Sequence, residues 1–180
     1  MSNTIQTINF MRILRLNVKI DLEIVHNLLN DSKLYRGRPQ MLVVKMRNSR
    51  NLQLFRSGVV QIMGKHSHFE ALSMCYEIIN QLRALYPQIG MKMLTLKNLV
   101  VSAQLKTNIP LHRIKSSSTS LSYEAELFPA MLIRSFHPIH IAVFHTGRCI
   151  LTGLKSIQQA AFVIDSLKAF LQKEGLLINV

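Results

Sequence analysis

Leu52–Ser67, LQLFRSGVVQIMGKHS, is written again 89 residues later and without a gap as Ile141–Ser156, IAVFHTGRCILTGLKS. Phe55 falls on Phe144, Gly58 on Gly147, Gly64 on Gly153 and Ser67 on Ser156, four identities in sixteen positions, where chance gives about one. The same offset joins Asn9 to Asn98. The chain therefore reads as a pseudo-dimer in one polypeptide, with a first repeat expected over residues 1–90 and a second over 91–180. A molecule with internal two-fold character is expected to carry a two-fold binding surface.

Composition narrows the partner. With 22 Lys and Arg against 9 Asp and Glu, a net charge of +13 and a pI near 10.3, the surface favours a polyanion over an acidic small substrate. Nucleic acid leads and an anionic membrane follows. Against the membrane, no apolar run approaches the length of a spanning helix, and Met1-Ser2-Asn3-Thr4 lacks the basic-then-apolar order of a leader. Cys75 and Cys149 have no metal-type or redox-type spacing and read as reduced, packed thiols of an intracellular protein. His137, His140 and His145 fall on both faces of one strand, so they cannot converge on a metal ion. The nine acids are scattered, without a carboxylate pair, a nucleophile with its base, or a phosphate-cradling glycine loop, so neither an enzyme nor a cofactor is expected.

Each repeat gives local signals in the order strand, helix, hairpins, helix. Ile8–Leu16 and Leu94–Leu105 are strand-like, and Asp21 is placed to cap a short helix with Leu22, Val25, Leu28 and Leu29 on one face. Strands are expected near Pro39–Met46, Asn51–Phe55 and Val59–Met63, the last two joined at Ser57-Gly58 as their counterparts are at Thr146-Gly147. Ser67 with Glu70 and Ser156 with Gln159 fit the capping box of a long helix. The apolar rows Leu72, Tyr76, Ile79, Leu82 and Ala160, Ile164, Leu167, Leu171 are expected to face the sheet. Ser116–Ser120 reads as a loop.

Strand parity then isolates an unusual surface. If Cys149 and Leu151 face the helices, Arg148, Ile150 and Thr152 lie on the open face, with Val59, Gln61 and Met63 at the equivalent places in the first repeat. Phe55, Phe144, Asn9, Met11, Asn98 and Val100 join them. Such a face is apolar, aromatic and amide-bearing where a solvated sheet face is usually charged, so it is expected to cover something.

Tyr123-Glu124-Ala125-Glu126-Leu127-Phe128-Pro129, Ile139–Phe144, Thr146-Gly147-Arg148 and Leu151-Thr152-Gly153 resemble the second repeat of the TATA-box-binding protein core. The resemblance covers nearly the whole chain, strongly over Asn98–Lys155 and as a pattern before Phe55, and fits a diverged paralogue. It implies an α+β saddle: two repeats sharing one curved antiparallel sheet, helices on the convex side, and a concave side that opens the DNA minor groove. That family is the type case of minor-groove wedging by apolar side chains.

Carried onto this sequence, the resemblance gives Phe128 and Phe144 the role of rings inserted between base steps, with Phe55 keeping one ring of the other pair. Asn98, and Asn9 by the repeat, correspond to amides that meet base acceptors. Val100, Ile150 and Thr152 correspond to residues along the groove floor, where A·T pairs lack the guanine amino group. Arg134 and Arg148 resemble phosphate contacts, and Thr146 and Ser57 the hydroxyls at the hairpins. Glu124, Glu126 and Leu127 match the loop that receives transcription factor IIB, a pair of carboxylates and an apolar knob for a basic partner.

The first repeat departs from that pattern. Pro39 stands opposite Phe128, Gln61 and Met63 opposite Ile150 and Thr152, Gln53 opposite Ala142, and Met11 opposite Val100. This half is bulkier and more polar, and weaker or asymmetric DNA binding with altered sequence preference is expected. Its long helix carries Glu70, Glu77 and Arg83 where the family has a basic row used by factor IIA and repressors. The implied function is that of a nuclear factor in the preinitiation complex of RNA polymerase II: it binds A·T-rich promoter DNA and recruits factor IIB, with factor IIA and TBP-associated factors as further family partners. The alternative is an interaction module that keeps the factor IIB loop and has lost effective DNA recognition.

Overall fold

The computed structural model describes residues 4–47, 50–114 and 120–177; most of the serine-rich stretch, and the leader reading at residues 1–3, lie outside them. The chain divides into two compact units, Asn9–Lys97 and Asn98–Val180 with Met1–Ile8. The fold is α+β, and every strand pairing described within a unit is antiparallel.

In the Asn9–Lys97 unit the order in space is β2 (Ser32–Tyr35), β3 (Met41–Lys45), β4 (Asn51–Phe55), β5 (Val59–Gly64), then β1 (Thr4–Leu16). Leu42, Val44, Leu52, Leu54, Val60, Ile62, Leu14 and Leu16 form one buried row set, as the two-residue period of a strand requires when one face is covered. The cover is α2 (His68–Leu82) with α1 (Leu22–Leu28), whose buried Ala71, Met74, Cys75, Ile78, Ile79, Leu82, Leu22 and Val25 join those strands in one core. Full burial of a Leu or Ile side chain stabilises by about 1.5–3 kcal/mol, so this cluster holds the helices to one side of the sheet.

The other unit repeats the plan with β6 (Met91–Gln104), β10 (Arg148–Leu154), β9 (His140–Phe144), β8 (Ala130–Ile133) and β7 (Leu121–Ser122) in that spatial order, covered by α3 (Ile157–Lys173). Ala160, Ile164, Leu167 and Leu171 are buried, as their spacing predicts, together with Val163. The α2 row is rotated from the expected one. Tyr76 is exposed and Leu72 only half-buried, while Met74, Cys75 and Ile78 point inward. A stripe of apolar residues wide enough to offer two faces leaves the choice to packing, and the small Ala71 and Cys75 lie fully buried on the chosen side. Leu28 is likewise exposed, at the end of an α1 that lasts only two turns.

Caps fix both long helices. Ser67 Oγ accepts the Glu70 N–H at 3.0 Å and Glu70 Oε2 accepts the Ser67 N–H at 2.6 Å, a complete capping box, which holds the Glu70 carboxyl below its usual range. At α3 only half of the box forms. Ser156 Oγ accepts from Gln159, but Gln159 Oε1 turns to the Lys155 N–H at 2.7 Å.

The hairpin glycines are where the repeat is geometrically strict. Gly58 and Gly147 share φ +78°, and a Cβ there would stand 2.2 Å from Val18 O and 2.1 Å from Thr107 O. Backbone bonds repeat with the same offset: Leu16 N–H to Gly58 O and Leu105 N–H to Gly147 O, both 2.9 Å, and Ile20 N–H to Arg56 O and Ile109 N–H to His145 O, at 2.9 and 2.8 Å. Glycine is required because the left-handed turn must meet the chain leaving β1 or β6 without a side chain between them.

Candidate nucleic-acid interface

Within each unit the sheet face turned away from the helices is open, and the expected site residues lie on it or at its rim. Alternation along β10 buries Cys149 and Leu151 fully and leaves Ile150 and Thr152 half-buried and Arg148 exposed. Val100 and Asn98 on β6, and Phe144 on β9, share that half-buried state. In the Asn9–Lys97 unit, Asn9, Met11, Gln53, Phe55, Val59 and Gln61 do the same, and Met63 is exposed. None of these residues is sealed beneath a helix.

The two amides are held by one repeated bond. Gly64 donates its N–H to Asn9 Oδ1 at 2.7 Å, and Gly153 donates its N–H to Asn98 Oδ1 at 2.7 Å. Engaging the carbonyl oxygen leaves each Nδ2 as the outward group, so both amides present hydrogen-bond donors. Donors suit a surface made only of acceptors, which is what A·T pairs show in the minor groove.

At one end of the Asn98–Val180 unit the rings of Phe128 and Phe144 stand together, centroids 6.2 Å apart and tilted by 57°. Phe128 is 44% exposed, beyond the start of β8, and Phe144 lies opposite Ala130. Ala130 is small enough to leave room for both rings. The matching position facing Phe55 is Met41, and Pro39, exposed, replaces the second ring. One unit thus carries a ring pair and the other a ring beside a flexible thioether.

Around the rim, Ser57 and Thr146 are exposed in the two hairpins, and Arg134 is exposed just past β8. Arg148 Nε donates to Ser102 Oγ at 3.3 Å, which lays the guanidinium along the sheet. No carboxylate stands on any of these open rows. Glu23 and Glu70 are paired away from them, with Arg36 at 3.1 Å and Arg50 at 2.8 Å; open rows free of carboxylates on a chain of net charge +13 suit a polyanion.

Glu124, Glu126 and Leu127 occupy a turn closed by the Leu127 and Phe128 N–H groups donating to Glu124 O at 3.0 and 2.9 Å. All three side chains are exposed, Leu127 by 79%. The turn sits immediately before Phe128, so it and the ring pair are positioned by the same short segment.

The model of the family "Transcription factor TFIID (or TATA-binding protein, TBP)" matches residues 93–174. A TATA-box-binding protein of Methanococcus maripaludis strain C7 is 31% identical over 180 residues, covering 96% of this chain and 97% of the relative. The chain belongs to the TATA-box-binding protein family. Its counterpart in Methanococcus aeolicus is 28% identical over 171 residues, 93% of this chain and 94% of that protein. The solved structure of Methanococcus jannaschii TBP superposes with a TM-score of 0.78 at 26% identity, over 94% of this chain and 98% of that one. Family membership makes the protein a TBP-like general transcription factor of a DNA-binding family, and the low identity fits a diverged member.

Some residues of this TBP-like face escaped the sequence reading. Met41 and Ser102 carry no motif, yet the 89-residue offset together with strand parity places Met41 against Ala130 and Ser102 against Ile13. Arg12 and His66 were also missed. Both are buried on the helix side, Arg12 Nη1 donating to His66 O at 3.4 Å and lying 4.6 Å over the Phe10 ring. Burial lowers both their pKa values, with the Arg12 and Arg50 charges adding to the effect on His66. Their counterparts, Val101 and Lys155, gave no hint of this.

Proposed function

We infer that this chain binds A·T-rich promoter DNA through the minor groove and recruits transcription factor IIB to start RNA polymerase II transcription in the nucleus, with TATA recognition weakened or altered in one half. The observation that carries the reading is the pair of outward amide donors at Asn9 and Asn98, each fixed by the same backbone bond on an open face free of carboxylates. Each donor meets adenine N3 or thymine O2, which every A·T pair offers in either orientation. Val100, Ile150 and Thr152 lie flat against the groove floor. Phe128 and Phe144 enter between base steps, replacing part of the lost stacking; unstacking costs a few kcal/mol per step in this type of complex. Arg134, Arg148, Ser57 and Thr146 hold phosphates and set register without reading sequence.

Glu124, Glu126 and Leu127 offer factor IIB two carboxylates around an apolar contact. On a chain of net charge +13, an exposed acidic turn selects a basic partner surface by charge complementarity. Factor IIA and TBP-associated factors remain partners by family analogy, with Glu70, Glu77 and Arg83 altering the helix surface that factor IIA uses in relatives.

A second reading, an interaction module without effective DNA recognition, draws on Pro39 standing where the equivalent position has Phe128. A salt series decides between them. Binding to an A·T-rich duplex weakens on the order of 10³-fold from 50 to 200 mM salt if roughly six phosphates are neutralised. A shallow or absent response favours the second reading.

A further inference from the structure

One transverse row distinguishes the two open faces more sharply than any single substitution. In the Asn9–Lys97 unit, Val43, Gln53, Gln61 and Ile13 stand in register across β3, β4, β5 and β1. The same row in the other unit reads Leu132, Ala142, Ile150 and Ser102 across β8, β9, β10 and β6. Every member maps onto its counterpart by the 89-residue offset. The two central positions differ together: Ala142 and Ile150 in one unit, Gln53 and Gln61 in the other.

The chemistry of that exchange is directional. Gln61 Nε2 donates to Met63 Sδ at 3.3 Å, which sets the amide with Oε1 as its remaining acceptor. Gln53 is its cross-strand neighbour and makes no side-chain hydrogen bond among the described residues. In the minor groove a G·C pair differs from A·T by the guanine 2-amino group, a donor. Pressed on Ala142 and Ile150, that donor would be desolvated without an acceptor, the costly case for a polar group. Pressed on Gln53 and Gln61, it meets carbonyl oxygens at the same depth.

We propose that Gln53 and Gln61 form an acceptor pair that admits guanine to the half-site read by the Asn9–Lys97 unit. The DNA target is then composite: one half restricted to A·T pairs and the other accepting G·C. This rests on the minor-groove reading given above.

The test uses the full chain and four duplexes of one length: A·T in both halves, a G·C pair in one half, G·C pairs in both halves, and the one-half duplex with inosine replacing guanine. Inosine keeps the pair but removes the 2-amino group. Wild-type protein binds the one-half duplex within about threefold of the all-A·T duplex, and loses about tenfold or more when both halves contain G·C, the usual scale for a disfavoured base pair. The Gln53→Ala/Gln61→Ile variant, which carries the residues of the other unit, binds the all-A·T duplex, loses about tenfold on the one-half duplex and recovers with inosine. A wild-type loss of tenfold on the one-half duplex, restored by inosine, overturns the acceptor pair and leaves the DNA reading intact; this arm needs no variant. Wild-type failure to bind even the all-A·T duplex at low salt overturns the DNA reading and the acceptor pair with it.

Discussion

Asn98 accepts the backbone N–H of Gly153 through Oδ1 at 2.7 Å, and this bond decides what its amide can offer a ligand. With the oxygen turned to the backbone, Nδ2 is the group left as a donor. Asn98→Asp keeps the acceptor for Gly153 but replaces the outward donor with an oxygen that repels base acceptors. Thermal unfolding is expected to shift by no more than a few degrees, while affinity for A·T-rich DNA falls about tenfold or more. Equal affinity with unchanged stability would remove Asn98 from the interface. Asn9→Asp, held by Gly64 at 2.7 Å, is expected to act the same way.

Gly147→Ala tests the hinge between strand and hairpin. At φ +78°, with a Cβ forced to 2.1 Å from Thr107 O, the substitution combines backbone strain with a clash against main chain. A loss on the order of 2–3 kcal/mol or more in urea unfolding is expected, and Gly58→Ala should match it. A loss below about 0.5 kcal/mol, ordinary for a surface change, would contradict the strict repeat of this corner.

Stability should also fall in mild acid. His66 is buried beside Phe10, at 5.7 Å between ring centroids, and burial first, then the Arg12 and Arg50 charges, lower its pKa from the ordinary 6.5. A histidine whose folded pKa is depressed binds its proton more readily when unfolded, so its contribution is complete above pH 6.5 and declines as pH falls toward the folded value. The melting temperature is expected to drop between pH 7.5 and 5.5, and His66→Leu to flatten that slope. Glu70 acts in the same direction only in the more acidic range below its ordinary 4.5.

Both thiols are expected to be silent in the native protein. Cys75 and Cys149 are fully buried, and burial pushes each pKa up to about 12. Since the thiolate is the nucleophile, a disulfide reagent at pH 8 should label neither until denaturant is added. Rapid labelling of one native thiol would show that its core opens locally.

Much of this fold was legible because the repeat supplied each signal twice. Gly58 and Gly147 fixed the hairpins, Ser67 and Ser156 the helix starts, and the alternation through Cys149 and Leu151 the buried side of the sheet. The α2 face was less legible, since apolar side chains flank the buried arc on both sides and only packing selects Met74, Cys75 and Ile78 over Leu72 and Tyr76. β2, β7 and β8 are two to four residues long, too short for a two-residue period to register. Motif and offset pointed to Phe128, Phe144 and both asparagines, and the structure places them on the open face or at its rim. The amide orientation was not legible, because it depends on the Gly64 and Gly153 N–H groups 55 residues along the chain from each asparagine.

The acidic turn offers a separable function. Reversing Glu124 and Glu126 to Lys is expected to reduce factor IIB recruitment by about tenfold or more while binding to A·T-rich DNA holds or strengthens. Undiminished recruitment in a pull-down with purified factor IIB would remove this turn from the partner surface.

DNA bending tests the central claim most directly. End-to-end energy transfer across an A·T-rich duplex labelled at both ends should rise on addition of the wild-type chain, and should not rise with Phe128→Ala/Phe144→Ala at protein concentrations that still saturate the duplex. A duplex that stays straight with wild-type protein bound, or bends equally with the double variant, would contradict it.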